Sequence, residues 1–146
     1  MTPVDAALGW LGTPYHPGAR IKGVGVDCAQ LLIAAYEECG FLVQGEADPG
    51  PYSHEWHLHR SEEVYLTNLL RFCDPVKYEP MPGAIVMFKF GRCVSHAGII
   101  TNYPYLIHAY VGMGVIISRI DDVILCDKHG KSRLAGAYRP NGRKRD

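Results

Sequence analysis

The pattern of apolar residues changes at Pro82-Gly83, and this change constrains the fold more than any other feature of the sequence. After it come short runs rich in β-branched and aromatic residues, separated by turns too short for helical crossovers. These runs cover 84–90, 96–101, 105–110, 114–120 and 134–140. They predict an antiparallel meander. With helices before it, the chain is predicted to be an α+β domain whose N-terminal helices pack on one side of a five- to six-stranded antiparallel sheet.

The first half of the chain has helical patterns. Thr2 can cap a first helix that begins with Pro3, and Gly12 can end it. A second helix is expected over 28–39, with an apolar stripe at helical spacing, and a third begins near Ser61. The stretch between the first two, TPYHPGARIKGVGV, is rich in proline and glycine and predicts a loop.

Length and charge exclude several classes of protein. The 146 residues suit one domain, 1–146, with one core. Fifteen basic and fifteen acidic residues leave a formal net charge of zero, which argues against nucleic acid or an anionic membrane as a partner. The basic cluster at 143–145 is interpreted as a solvated tail.

Cysteine usage and the N-terminus predict where the protein is made. Five cysteines cannot all pair, and their spacing contains no CxxC, which argues against a disulfide scaffold and a cysteine-based zinc site. Residues 1–5 lack the features of a signal peptide, and no apolar run reaches the length of a membrane span. We therefore expect a chain made in the cytoplasm, in a reducing compartment, and not inserted in a membrane.

Cys28 follows a glycine-rich turn and lies at the first turn of the second helix. Only a thiolate attacks well, and a helix N-terminus lowers the pKa of a thiol because its free N–H groups favour the anion. The Cys28 amide could also stabilise an oxyanion. The alternative is a small core residue, since free cysteine is among the most buried residue types.

His96 and His108 are the candidate general base and orienting group. They lie in neighbouring predicted strands joined by the TNYPY turn, so a hairpin brings them close together. One imidazole could accept the thiol proton while the other orients it, as in catalytic triads on many folds. Each could instead be a satisfied polar residue of the sheet, and the register that decides which face they share cannot be read from the sequence.

The long connection 41–60 contains the tract HEWHLH, whose histidines are 54, 57 and 59. Histidine-rich tracts can bind metals, but no standard zinc-finger or HExxH spacing surrounds this one. We expect no metal and no cofactor. Trp56 and Leu58 are interpreted as anchors of the loop, and Trp56 or His57 could line a substrate groove.

Three segments in order resemble the NlpC/P60 family of cysteine peptidases, which cut the peptide stems of bacterial cell walls. They are LGTPYHPGARIKGVGVDCAQLL, PMPGAIVMFKF and SHAGIITNYPYLIHAY, and the similarity spans roughly residues 8 to 140. The resemblance implies a papain-like α+β fold. It implies that Cys28 is the nucleophile, His96 the base and His108 the polar third member of a Cys-His-His triad.

The resemblance also implies how substrate binds. Tyr15 would lie near the oxyanion and the substrate groove, and Asp27 and Ser95 match positions that help to hold the free amino end of the stem peptide. The bond cut would join D-γ-glutamate to a diamino acid such as meso-diaminopimelate.

The sequence departs from the family pattern in two places. Asp-Cys-Ser-Gly is replaced by Asp27-Cys28-Ala29-Gln30, which puts specificity in question, and the usual Pro-Gly-Asp turn ends in Ala84. The GTPY…IKGVGVDC segment and the YSHEWHLHRSEE insertion are most similar to the phage and prophage subgroup. In that subgroup the peptidase is made in the cytoplasm and built into a tail that acts on the periplasm or cell wall, with tail proteins as partners. A tail-assembly subunit without hydrolysis, and an acyltransferase or amidase on other substrates, stay open as alternatives.

Overall fold

A six-stranded antiparallel sheet carries three α-helices in the computed structural model, which describes residues 1–48 and 61–141. The helices are α1 (Pro3–Leu8), α2 (Cys28–Glu38) and α3 (Ser61–Leu69). The strands are β1 (Arg20–Ile21), β2 (Gly25–Val26), β3 (Cys73–Pro75), β4 (Ile85–Phe90), β5 (Cys93–Asn102), β6 (Tyr105–Tyr110), β7 (Gly114–Arg119) and β8 (Leu134–Pro140). The expectations for the HEWHLH tract and the basic C-terminus fall outside the described residues.

The order of strands in the sheet is β3-β8-β4-β5-β6-β7. The predicted meander is present in β4 to β7, and the sheet is antiparallel throughout. The sequence reading placed β8 at the end of the meander, whereas it lies between β3 and β4. The chain crosses one face of the sheet to get there, and Leu125 of this crossing packs against Val86, Phe88, Ile100 and Leu106.

The helices bury the opposite face of the sheet. α2 is central: every residue from Cys28 to Tyr36 is buried, not only the predicted stripe, because the helix contacts α1 and α3 as well as β5 and β6. Its apolar residues share one core with Ile85, Met87 and Ile99 of the sheet. The α+β class and the predicted sheet size are therefore confirmed.

Helix α1 begins as the sequence predicts and ends earlier. Thr2 accepts the N–H of Asp5, while the Asp5 carboxylate accepts the N–H of Thr2, which completes a capping box. The helix ends at Leu8 with Gly9 as its C-cap. Gly12, the expected end, instead donates its N–H to Val115 and helps to cover the free edge of β7.

Two short elements lie inside segments that the sequence suggested were loops. β1 and β2 form a small hairpin within the proline- and glycine-rich stretch. The backbone of 14–16 pairs with β2: Val26 donates to Pro14, and His16 donates to Val26. This pairing holds Tyr15 at the start of α2, because β2 leads directly into the helix.

Candidate active site

Cys28 is the first residue of α2 and its side chain is fully buried. Asp27 is the N-cap of the helix and accepts the N–H of Gln30. The Cys28 thiol lies 3.6 Å from the carbonyl oxygen of Ser95, at the point where β5 passes the helix start. The predicted nucleophile is therefore adjacent to the Ser95-His96 segment.

A β-bulge sets the direction of the Ser95-His96 segment. Phe88 of β4 pairs with His96, but the next residue, Lys89, pairs with Val94, so Ser95 is the extra residue. Bulges bend a strand and redirect its side chains and carbonyls, and they are frequent beside active sites. Here the bulge accompanies the approach of the Ser95 carbonyl to the Cys28 thiol.

His96 and His108 form a buried hydrogen-bonded chain that ends at Ser118. His96 Nε2 lies 2.8 Å from His108 Nδ1, and His108 Nε2 lies 2.9 Å from Ser118 Oγ. The hairpin places β5 beside β6 and β6 beside β7, so the three residues come from three adjacent strands. Because Nε2 of His96 is occupied by His108, its Nδ1 is the nitrogen left for proton transfer.

The surroundings of the two imidazoles favour their neutral form. Phe88, Phe90 and Tyr110 lie with ring centroids 5.6–5.9 Å from that of His96. Burial, together with the neighbouring His108, lowers the pKa of His96 to about 3. Burial also lowers the pKa of His108 to about 4, although the charge of Asp122 acts in the opposite direction. In this conformation both histidines are neutral at pH 7.

A cleft of about 220 Å³ opens beside the histidines. Its lining includes two of the predicted substrate-binding residues and the predicted base, together with residues at the end of β6: Tyr15, Glu62, Phe90, Ser95, His96, Tyr110 and Val111. The sequence thus predicted Tyr15, Ser95 and His96 as neighbours, and the structure brings them together.

Glu62 is a site residue that the sequence reading missed. It lies in the first turn of α3 and is buried, with its Oε2 2.7 Å from Cys28 Sγ. Its other carboxylate oxygen accepts the hydroxyl of Tyr15. In the sequence, Glu62 and Glu63 both follow Ser61 and look like acids that favour a helix N-terminus. The difference is that Glu62 is buried and Glu63 is half-buried, and no local pattern separates them.

Glu62 changes the electrostatics of the thiol. Burial raises the pKa of Cys28 well above its ordinary value, and the adjacent Glu62 carboxylate raises it further. The same two causes raise the pKa of Tyr15. We expected the helix N-terminus to lower the pKa of Cys28. In the observed arrangement, burial and a neighbouring negative charge outweigh that effect, so Cys28 is a neutral thiol that donates to Glu62.

Asp27 is fully buried and its two oxygens have separate backbone partners. Oδ1 accepts the N–H of Gln30 at 2.8 Å, and Oδ2 accepts the N–H of Gly18 at 2.7 Å. Burial raises the pKa of Asp27 to about 6, although both hydrogen bonds act in the opposite direction. In this conformation Asp27 caps α2 and ties the preceding loop to it. Its contact with a substrate amino group stays a prediction.

Ala29 and Gln30, the departures from the family pattern, are both buried. Gln30 Oε1 accepts the Arg20 Nε hydrogen bond at 2.7 Å, and Arg20 also pairs with Glu37 and Asp48. Ala29 belongs to the core beneath the helix. Neither residue lines the cleft. The Gln30 side chain instead links α2 to Arg20 of β1.

Three further properties concern metal binding, membrane insertion and disulfides. Within 1–48 and 61–141, no cluster of three or more His, Cys, Asp or Glu side chains has the geometry to hold a metal ion. In the same residues, no helix is long and apolar enough to cross a membrane. The five cysteines are unpaired.

Comparison with known proteins gives the fold a name. No family model matches the chain. The "Probable endopeptidase NlpC homolog" of Haemophilus influenzae is 27% identical over 124 residues, which cover 85% of this chain and 56% of that protein. The chain thus spans about half the length of this curated relative.

Solved structures of NlpC and NlpC/P60 proteins are also similar to this chain, at lower sequence identity. NlpC1 from Trichomonas vaginalis superposes with a TM-score of 0.65 at 17% identity, covering 95% of this chain and 42% of that one. The NlpC/p60 domain of the peptidoglycan hydrolase SagA superposes with a TM-score of 0.55 at 20% identity, covering 82% of this chain and 87% of that one. The chain therefore has the NlpC/P60 peptidase fold, and the predicted fold class is confirmed.

Proposed function

We propose that the chain is a cysteine endopeptidase that hydrolyses peptidoglycan stem peptides between D-γ-glutamate and a diamino acid. The observation that carries this proposal is the apposition of Cys28, at the start of α2, to the Ser95-His96 bulge of β5. The NlpC/P60 fold and a relative named as an endopeptidase support it. The entire chain, 1–146, acts as one catalytic domain in this proposal, without metal or cofactor.

In the proposed reaction, Cys28 is the nucleophile and His96 is the general base. His96 Nδ1 accepts the proton of Cys28, and the thiolate attacks the γ-glutamyl carbonyl carbon. His96 then donates that proton to the leaving amine as the C–N bond breaks. A water molecule, deprotonated by His96, attacks the thioester and releases the carboxylate and the free thiol. His108, held by Ser118, keeps the His96 ring oriented throughout.

The oxyanion and the substrate have partners at the cleft. The backbone N–H groups at the start of α2 have no carbonyl partner within the helix, and the Cys28 amide is among them. Tyr15 and Ser95 line the cleft and are positioned to contact the substrate backbone. Asp27, the residue before Cys28, is the proposed partner of the amino end of the stem peptide.

A digest of a diaminopimelate-type cell wall tests this function. The wild-type protein should release fragments that end in γ-glutamate and fragments that begin with diaminopimelate, identified by mass. Cys28→Ala should abolish both, whereas Cys39→Ala, at the other end of the same helix, should not. Cleavage of a different bond, or wild-type turnover by Cys28→Ala, would contradict the proposal.

A structural subunit of a phage tail is the second candidate. The full burial of Cys28 favours it, because a buried thiol cannot reach substrate in this conformation. A tail location also suits the resemblance of the GTPY…IKGVGVDC segment to the phage subgroup, and it would bring an enzyme to the cell wall. The two functions differ in one measurement: a structural subunit yields no wall fragments at any protein concentration, yet it binds tail proteins.

A further inference from the structure

The position of Glu62 is unusual for a buried carboxylate. Its two oxygens contact the thiol of Cys28 and the hydroxyl of Tyr15, both neutral donors. Among the described residues, no lysine or arginine forms an ion pair with it. Buried carboxylates are normally paired with a cation or with several N–H groups, as Asp27 is nearby. The N-terminus of α3 favours an acid, but that preference does not require the acid to be buried against Cys28 and Tyr15.

The contact between Glu62 and Cys28 accompanies a thiol that substrate cannot reach. The Cys28 side chain has no exposed surface, and Glu62 both contacts the thiol and lines the cleft, together with Ser95 and His96. A thiol that donates to a carboxylate cannot give its proton to His96 at the same time. Formation of the thiolate would also place two negative charges next to each other. In this conformation the thiol is closed to substrate, and burial together with the Glu62 carboxylate disfavours its ionisation.

The chemistry of Glu62 matches the proposed product. A glutamyl side chain ends in the same CH₂–CH₂–carboxylate group that hydrolysis of a γ-glutamyl amide leaves beside the catalytic cysteine. The Glu62 oxygens lie against Cys28 and Tyr15, two residues that would contact the scissile carbonyl. We propose that Glu62 is an internal product mimic that caps the active site, and that the enzyme is active only when the first turn of α3 withdraws it. This inference rests on the proposed function for the identity of the group that Glu62 imitates.

The cap is tested by the reactivity of Cys28, which requires no substrate. The full chain is treated with iodoacetamide, and the modification of each cysteine is followed by peptide mass spectrometry, with Cys39 and Cys126 as internal references. Glu62→Ala should label Cys28 at least ten times faster than the wild type. Glu63→Ala, which removes an acid from the same turn, should leave the Cys28 rate within a factor of two.

Glu62→Gln keeps the shape of the side chain and removes its charge, so it covers the case in which the alanine variant does not fold. It should label Cys28 faster than the wild type and more slowly than Glu62→Ala. A Cys28 rate unchanged in both folded variants would overturn the cap. Failure of the proposed function would be seen separately, as an absence of wall hydrolysis in every variant.

Hydrolysis distinguishes the cap from a substrate-binding carboxylate. If Glu62 caps the site, Glu62→Ala should cleave a stem peptide with kcat/KM equal to or above that of the wild type. If Glu62 instead binds the amino group of the substrate, Glu62→Ala should raise KM. That rise should disappear for a substrate whose amino end is acetylated. The latter result would overturn the proposal.

Discussion

His96 Nε2 lies 2.8 Å from His108 Nδ1, inside a sheet that leaves both rings almost no exposed surface. One nitrogen of the pair must donate and the other accept, so the two tautomers are coupled. His108 is fixed at its far side by Ser118 Oγ. The orientation of the proposed base, His96, therefore depends on Ser118 of β7 through the intervening His108.

Replacing Ser118 with alanine should impair catalysis more than folding. It leaves Nε2 of His108 without its partner in a buried site, which costs about 1–2 kcal/mol, or roughly five- to thirtyfold in kcat if the loss falls on the transition state. Ser118→Thr keeps the hydroxyl and should restore most of the rate. The measurement is kcat and KM for a stem peptide, with the pH profile of kcat/KM. Equal losses in kcat for alanine and threonine, with an unshifted pH profile, would show that Ser118 only fills space.

Gly98 should not tolerate a side chain, because Leu106, Ile107 and His108 of β6 lie close to it. A Cβ at this position would be 2.5 Å from Leu106 Cδ1, 2.9 Å from the Ile107 carbonyl oxygen and 3.0 Å from His108 Cβ. Two of these atoms belong to the backbone or to a Cβ and cannot move away alone. Gly98→Ala should destabilise the fold by about 1–3 kcal/mol and shift His108 away from His96.

Gly136→Ala is the matched control for that variant. Its nearest contact is the Tyr138 hydroxyl at 3.1 Å, at the far end of a side chain that can rotate. Urea unfolding should show a smaller loss for Gly136→Ala than for Gly98→Ala. A fully active and stable Gly98→Ala protein would mean that the histidine pair does not need this close approach.

Gln30 should affect stability and not substrate affinity. Its side chain is buried and accepts a hydrogen bond from Arg20, away from the cleft. Gln30→Ala should leave the Arg20 guanidinium without one partner and lower the free energy of unfolding by about 1–3 kcal/mol. KM for a stem peptide should stay within a factor of two. A rise in KM without a loss of stability would contradict this prediction and indicate that Gln30 contacts the substrate.

The bounds of several strands could be predicted from short runs of sequence, because neighbouring residues determine where a strand begins and ends. The strands at 105–110 and 134–140 have the predicted bounds, and proline marks one end of each: Pro104 precedes the first strand and Pro140 ends the second. The insertion of β8 beside β4 was not predicted, since it depends on how Leu125 and its neighbours cover the far face of the sheet. Strand order is a property of such long-range packing and leaves no mark on a short run of sequence.

The site residues also divide into those that local sequence predicts and those that depend on long-range packing. Cys28, His96 and Tyr15 were predicted from their positions at a helix start, a strand and a loop, together with the resemblance to a family. Ser118 and Glu62 were not, because each looks like an ordinary polar residue of a strand or a helix start. Ser118 could have been found by extending the hairpin argument to β7, where the residue two after the partner of His108 faces the same side. Glu62 reaches Cys28 only through the docking of α3, which no spacing in the sequence reveals.

Stability should fall as the pH falls from 7 to 5. The folded-state pKa values of His96 and His108, about 3 and 4, lie below the ordinary value of 6.5, so the unfolded chain binds more protons in this window. Each histidine then removes up to about 2 kcal/mol. Asp27 acts in the opposite direction, because its raised pKa of about 6 makes the folded state bind the extra proton, and it returns about 1 kcal/mol.

The net loss of roughly 3 kcal/mol between pH 7 and pH 5 can be measured by urea unfolding at a series of pH values. His96→Gln should reduce the slope, because one of the two groups that take up a proton on unfolding is gone. His129→Gln, an exposed histidine outside the site, should leave the slope unchanged. The groups that face the pair are Asp122, near His108, and Tyr110, in ring contact with both imidazoles. A slope that is flat in the wild type, or equal in the wild type and His96→Gln, would mean that the imidazoles are hydrated and not buried in solution.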